Sequence, residues 1–195
     1  PAQEVTSAMI AAEVLSAADA PLLVVGEEGL PLTLQRAGLA LTDDPAAART
    51  VVVGLDRNLT YDRLRAASDA LLRGARFVAS NRDPTYPTAA GPWPGGGAIV
   101  AALEVASGRS AEVVGKPYPP MREAVRRRLG PGPTWVVGDR PETDLALGRG
   151  QGWTTVLVLT GVVADPAQVP AELSPDVVLA SLAEFPAYLE GAGGG

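Results

Sequence analysis

The residues of this chain that are equipped for chemistry gather just past short apolar runs. In TWVVGDRPETD, Thr134 to Asp144, the apolar stretch stops at Gly138, and Asp139, Arg140, Glu142 and Asp144 follow at once. Carboxylates converging at a strand end, with no thiol or imidazole nearby, suit a hard, oxygen-liganded cation such as Mg2+. Asp144 reads equally well as a first-turn acid that complements a helix dipole. In VVGKPYPPM, Lys116 comes straight after Gly115, ahead of prolines that fix the backbone. A lysine held there is suited to contacting a phosphate or screening crowded carboxylates, and standing alone it would be an ordinary surface lysine. In VVVGLDRNLTYDRL, Asp56 is best read as part of a strand-to-helix turn, with Thr60 as the helix N-cap.

Composition narrows the chemistry further. The 195 residues include no cysteine and no histidine. Disulfides, thiolate nucleophiles, Ser-His-Asp triads and HExxH zinc sites are therefore excluded, leaving carboxylates, Lys, Arg, hydroxyls and a hard metal. With 22 acidic residues against 16 basic ones, the net charge is -6. That balance argues against a general affinity for nucleic acid or for an anionic membrane. No apolar run approaches the roughly 18 residues of a membrane span, and the expected location is cytoplasmic.

The elements that must hold these tips alternate. The string VVG occurs four times, ending at Gly26, Gly54, Gly115 and Gly138, and each reads as a buried parallel strand stopped by glycine. Further strands are predicted at Arg76–Ala79, Thr155–Leu159 and Val177–Leu179. Helices are predicted at Thr6–Ala17, Leu30–Ala37, Thr60–Leu72, Ala98–Ser107, Pro120–Leu129, Glu142–Gly148 and Ser181–Leu189. Such alternation means an α/β fold with parallel sheets and ligands beyond the C-terminal strand ends. The stretch SNRDPTYPTAAGPWPGGGA, Ser80 to Ala98, holds four prolines and four glycines and reads as a long loop, either functional or a rigid connector. A boundary is predicted near Gly108. The first residue, Pro and not Met, suggests a processed or truncated chain, and Gly191 to Gly195 reads as a flexible tail.

Taken together, VVGKPYPPM and the later VVGDRPETDLALGRGQGWTTVLVLTGV resemble the haloacid dehalogenase (HAD) superfamily of phosphatases. Within it they look like the branch that contains phosphoglycolate, glycerol-phosphate, pyridoxal-phosphate and p-nitrophenyl phosphate phosphatases. VVVGLDRNLTYDRL, GARFVASNRDPTYPT and PGGGAIVAALEVASGR resemble that branch's large α/β cap. The resemblance implies a core helix at 1–17, an α/β cap at 18–108 and the C-terminal part of a Rossmann-like core at 109–190, before a tail at 191–195. It implies Mg2+ as cofactor and a small phosphorylated metabolite as substrate. Lys116 would steady the nucleophile and the substrate phosphate, Asp139 would ligate Mg2+, and Asp144 would support that loop. A cap loop from Asn81 to Tyr86 would select the leaving group, with Arg82, Asp83 and Tyr86 in contact with it. The PGGGA segment would open a cap helix. Pro141-Glu142 departs from the branch, which usually carries an apolar residue and Asp there.

The larger departure is the D-x-D motif, in which the family places its nucleophile and its acid/base. No D-x-D occurs in these 195 residues, nor does the phosphate-binding Thr or Ser of the family's next strand have a match. Covalent catalysis needs an activated nucleophile beside its proton-transfer partner, so the chain as given is expected to be inactive, and Asp139 alone would hold Mg2+ poorly. The missing strand would leave the strands at Val113, Val136 and Val156 with a bare apolar edge, a pairing hazard. The C-terminal half is therefore expected to need cover, from the missing segment, from homodimerisation or from a rearranged terminus. The alternative is a non-catalytic HAD-like module that binds a partner or phosphorylated ligand without turnover. A third reading is an unrelated nucleotide-binding α/β domain.

Overall fold

In the computed structural model, which describes residues 4–192, the β-branched runs form strands and the intervening segments form helices. The chain divides into two compact units that meet in sequence between Arg126 and Arg127.

The first unit opens with α1 (Ser7–Val14), whose N-cap Thr6 accepts the Met9 amide at 3.2 Å. β1 (Leu22–Val25), α2 (Gly29–Arg36), β2 (Thr50–Val53), α3 (Tyr61–Leu72) and β3 (Arg76–Ala79) then alternate. The three strands pair in parallel, with Val24 opposite Val52 and Val52 opposite Val78. Parallel strands are covered on both faces, hence their unbroken apolar character. Val51, Val52 and Val53 are fully buried, as are Leu71 of α3 and Leu103 from later in the chain, with Phe77 of β3 buried beside them. The outer edge of β1 is occupied by an irregular segment. The Leu22 amide donates to the Ala40 carbonyl at 2.8 Å, and the Thr42 amide to the Leu22 carbonyl at 2.9 Å.

The Ser80–Ala98 stretch, expected as a loop, folds into an antiparallel hairpin of β4 (Thr85–Thr88) and β5 (Gly91–Pro94). Its prolines explain both the misreading and the structure. Pro87 faces Pro92, Pro94 faces Thr85, and the pairs alternating with them are Tyr86–Trp93 and Thr88–Gly91. The Gly95 amide donates to the Pro84 carbonyl at 2.9 Å, so alternation puts Pro87, Pro92 and Pro94 at the non-hydrogen-bonded pairs, where no ladder N–H is required. Gly91, at φ +104, supplies the left-handed residue after the two-residue turn. The hairpin leads through the N-cap Gly95 into α4 (Gly96–Ser107), as the reading of PGGGA anticipated.

β6 (Glu112–Val113) corrects another expectation. It pairs with β3, Ala79 opposite Val113, and so completes a four-stranded sheet in the order β1-β2-β3-β6, not a sheet with the strands at Val136 and Val156. α5 (Pro119–Arg128) carries the sequence across the division between the units.

The second unit holds β7 (Trp135–Gly138), β8 (Thr154–Val158) and β9 (Val177–Leu179) in a three-stranded parallel sheet, with β8 central. Leu145, Leu157 and Val163 form its buried centre. Among the described residues, β7 has a strand on one side only. The helix expected from Glu142 starts instead as a π-helical turn, Pro141–Leu145, followed by the short α6 (Ala146–Gly148). α7 (Phe185–Ala192) takes in Gly191 and Ala192, which were expected in the tail. The rest of that tail, 193–195, lies outside the described residues. No helix among the described residues is long and apolar enough to cross a membrane.

Candidate active site

The candidate residues fall into two groups, one in each unit. In the second unit, Asp139 follows the last residue of β7, where the parallel strands direct the loops that bind ligands. Its Oδ2 accepts the Val162 amide at 2.8 Å, which ties the β7 tip to the turn after β8. Gly161 lies against it so closely that a Cβ there would sit 2.0 Å from Asp139 Oδ2 and 2.4 Å from its Cγ. Asp144, 9% exposed, stands in the π-helical turn and accepts the Arg140 amide on Oδ2 at 3.2 Å. Gly138 makes room for it, because a Cβ on Gly138 would come within 2.2 Å of Asp144 Cβ. The two carboxylates are thus held by backbone amides, each against a glycine.

These residues are oxygen donors of the kind Mg2+ takes, but they are not a complete set. Among the described residues, no three acidic side chains gather as a metal centre would need. Asp139 fits such a centre as one ligand, with Asp144 bracing the loop behind it.

In the first unit, Lys116 is exposed on the turn between β6 and α5. The glycine before it is pressed onto β3, since a Cβ on Gly115 would lie 2.2 Å from the Ser80 carbonyl oxygen. At the end of β3, the buried Oδ1 of Asn81 has no hydrogen-bond partner in the structure. It faces Gly96 at the start of α4, whose Cβ would lie 2.5 Å away. Arg82 turns to Glu104 of α4 in a two-pronged ion pair, with one hydrogen bond of 2.9 Å. Burial disfavours the charged form of Glu104, but the Ala111 amide and Arg82 outweigh it and hold its carboxyl below the usual carboxylate range. Asp83 accepts the Gly97 amide on its carbonyl at 2.9 Å. Tyr86, on β4, has the Arg57 guanidinium over its ring at 5.9 Å, and Arg57 is itself paired with Glu27. That hydrogen-bonded pairing lowers the Glu27 carboxyl and raises Arg57. Beside the hairpin, Leu55, Arg57, Trp93, Ile99 and Ala102 line a groove of about 350 Å³. Asp56 is buried and paired with Arg63, and Thr60 accepts the Arg63 amide at 3.2 Å, as an N-cap does.

Sequence reasoning passed over Glu104, Gly161 and Val162. Thr160-Gly161 right after the apolar run of β8 repeats the pattern of the other strand tips, and that was the available signal. Glu104 sits in a helix and had none.

Residues 113–185 match the family model described as "HAD-hyrolase-like". Human chronophin is 46% identical over 158 residues, which cover 74% of this chain and 53% of chronophin. The p-nitrophenyl phosphatase from Archaeoglobus fulgidus superposes with a TM-score of 0.80 at 37% identity, over 93% of this chain and 73% of that one. This chain belongs to the HAD-like phosphatase family. Another member, the glycerol phosphate phosphatase Rv1692 of Mycobacterium tuberculosis in complex with magnesium, gives a TM-score of 0.83 at 34% identity, over 93% of this chain and 57% of that one. As a member of this family the chain has the mixed α/β architecture, with parallel sheets, of capped HAD-fold structures. It spans about half the length of chronophin.

Proposed function

We propose that this chain carries the lysine- and aspartate-bearing part of a Mg2+-dependent, cytoplasmic phosphomonoester hydrolase acting on a small phosphorylated metabolite. The observation that carries the reading is Asp139. It stands at the tip of β7, with its carboxylate tied by the Val162 amide and Asp144 braced behind it. Asp139 would ligate Mg2+ together with oxygens from a D-x-D segment outside these 195 residues, and the ion would neutralise charge on the transferring phosphoryl group. Lys116 would meet the phosphate. Asn81, Arg82, Asp83 and Tyr86, in a unit that serves as the cap, would select the leaving group. The side of β7 that carries no strand among the described residues is the place for a covering strand, either the D-x-D segment or a second copy of the chain.

The test is to supply a D-x-D segment to the chain and follow p-nitrophenyl phosphate hydrolysis with Mg2+. Activity is expected with the segment and absent without it, or with both its aspartates changed to asparagine. Mg2+-dependent hydrolysis by the 195-residue chain alone would overturn the proposal. The absence of D-x-D favours one other reading, a module that binds phosphorylated ligands without turnover. It predicts ligand-dependent thermal shifts, no phosphate release, and no rescue by the added segment.

A further inference from the structure

We propose that the turn Thr160–Val162 is a positioning element, in which Gly161 and the Val162 amide hold Asp139 in a single side-chain orientation. Its functional consequence rests on the phosphatase reading above, whereas the contacts themselves lie wholly within the second unit. Two independent contacts meet on one carboxylate. The Val162 N–H donates to Oδ2 at 2.8 Å, and the space a side chain at 161 needs is filled by the Oδ2, Cγ and Cβ atoms of Asp139, at 2.0, 2.4 and 2.5 Å from the would-be Cβ.

Other reasons for a glycine at 161 do not apply. It is not among the glycines with positive φ, so its backbone conformation is open to any residue. It is exposed, so core packing does not demand a small residue. Close approach to Asp139 is the reason that remains.

The turn is also pinned at both ends. The Leu159 amide donates to the Leu179 carbonyl at 3.2 Å, and Val163 is buried with Leu145 and Leu157. A side chain at 161 cannot be accommodated by moving the turn unless Val163 leaves that centre, so Asp139 must rotate instead. With Oδ2 engaged by the amide, Asp139 presents Oδ1 to any ligand, in a direction set by the turn.

The experiment compares Gly161→Ala with Gly130→Ala, a glycine without positive φ whose Cβ would meet nothing within 4 Å. In the 195-residue chain, NMR scalar couplings read the Asp139 rotamer, and hydrogen exchange reads the Val162 amide. One rotamer and a protected amide are expected in the parent and in Gly130→Ala. Rotamer averaging and a faster-exchanging amide are expected in Gly161→Ala. Asp139→Ala should release the same amide, leaving β8 exchange unchanged. With a D-x-D segment supplied, Gly161→Ala should raise the Mg2+ concentration for half-activation by about tenfold, the scale seen for residues that orient a metal ligand. The KM for p-nitrophenyl phosphate should stay the same. A single Asp139 rotamer with a protected Val162 amide in Gly161→Ala would refute the inference. If the supplemented chain hydrolyses nothing, the phosphatase reading fails, while the rotamer and the amide still decide this one.

Discussion

Replacing Gly138 by alanine tests how tightly the second carboxylate is held. The new Cβ would lie 2.2 Å from Asp144 Cβ and 2.5 Å from both Cγ and Oδ2, where ordinary contact begins at 3.4 Å. Asp144 is only 9% exposed, so it has no open space to retreat into. It must withdraw by more than about 1 Å, and overpacking of this kind costs about 1–3 kcal/mol. The same movement stretches the 3.2 Å bond from the Arg140 amide, and losing a hydrogen bond to a charged group costs about 1.5–3 kcal/mol. A total of about 2.5–6 kcal/mol is expected, which for a unit of this size lowers the melting temperature by about 10 °C or more, at about 4–8 °C per kcal/mol. Urea unfolding by tryptophan fluorescence measures it, in a Trp93→Phe background so that only Trp135 and Trp153 of the second unit report. Trp93 is 48% exposed, so its replacement should cost little. A Gly138→Ala unfolding free energy within about 0.5 kcal/mol of the parent's, the range of an ordinary surface substitution, would refute the reasoning.

Four further outcomes are expected. Asp176 accepts the Thr155 amide and hydroxyl, both at 2.7 Å, and these bonds, the amide first, hold its carboxyl below the ordinary carboxylate value. Its folded-state pKa being depressed, the stabilisation is complete above the unfolded value near pH 4 and fades as acid titrates the folded group; acid unfolding of the second unit should lose this dependence in Asp176→Asn. Arg63→Met should cost more than Asp56→Asn in chemical unfolding of the first unit, because the side chain of Asp56 is 1% exposed and would be left charged, while that of Arg63 is 41% exposed and rehydrates. Asn81→Ala should leave the melting temperature unchanged or slightly higher, since its buried Oδ1 has no partner to lose; with a D-x-D segment supplied, a raised KM would give Asn81 the substrate contact proposed above. In the same supplemented protein, Tyr86→Ala should change KM among different phosphate esters while the kcat for p-nitrophenyl phosphate holds, as steady-state kinetics will show.

Four strands, β1, β2, β6 and β7, were legible because each runs into a glycine after paired valines, and a parallel sheet needs little else locally. Arg76–Ala79 and Val177–Leu179 were placed to the residue. Helix starts were legible where a hydroxyl precedes the apolar pattern, as at Thr6 and Thr60. What failed depended on distance or on parity. The partner of β6 is β3, more than thirty residues earlier in the chain, and nothing in EVVG says which sheet it joins. The hairpin was hidden because three prolines argue against strands until their register shows that each avoids the bonded pairs. The candidate residues behaved in the same way. Lys116, Asp139 and Asp144 stood out as charges at strand tips, whereas the groups that hold the two aspartates are glycines and amides, whose role lies in proximity and not in residue type.

The proline register has one more effect. Residues at the non-bonded pairs point their N–H outward, away from the companion strand, and at three of the four such positions there is no N–H to offer. The outer rims of β4 and β5 are therefore nearly barren of donors. A two-stranded ribbon displaying Tyr86 and Trp93 to water is otherwise an open invitation to stray strands. Here it can show its aromatic rings to a ligand while giving another backbone almost nothing to zip onto.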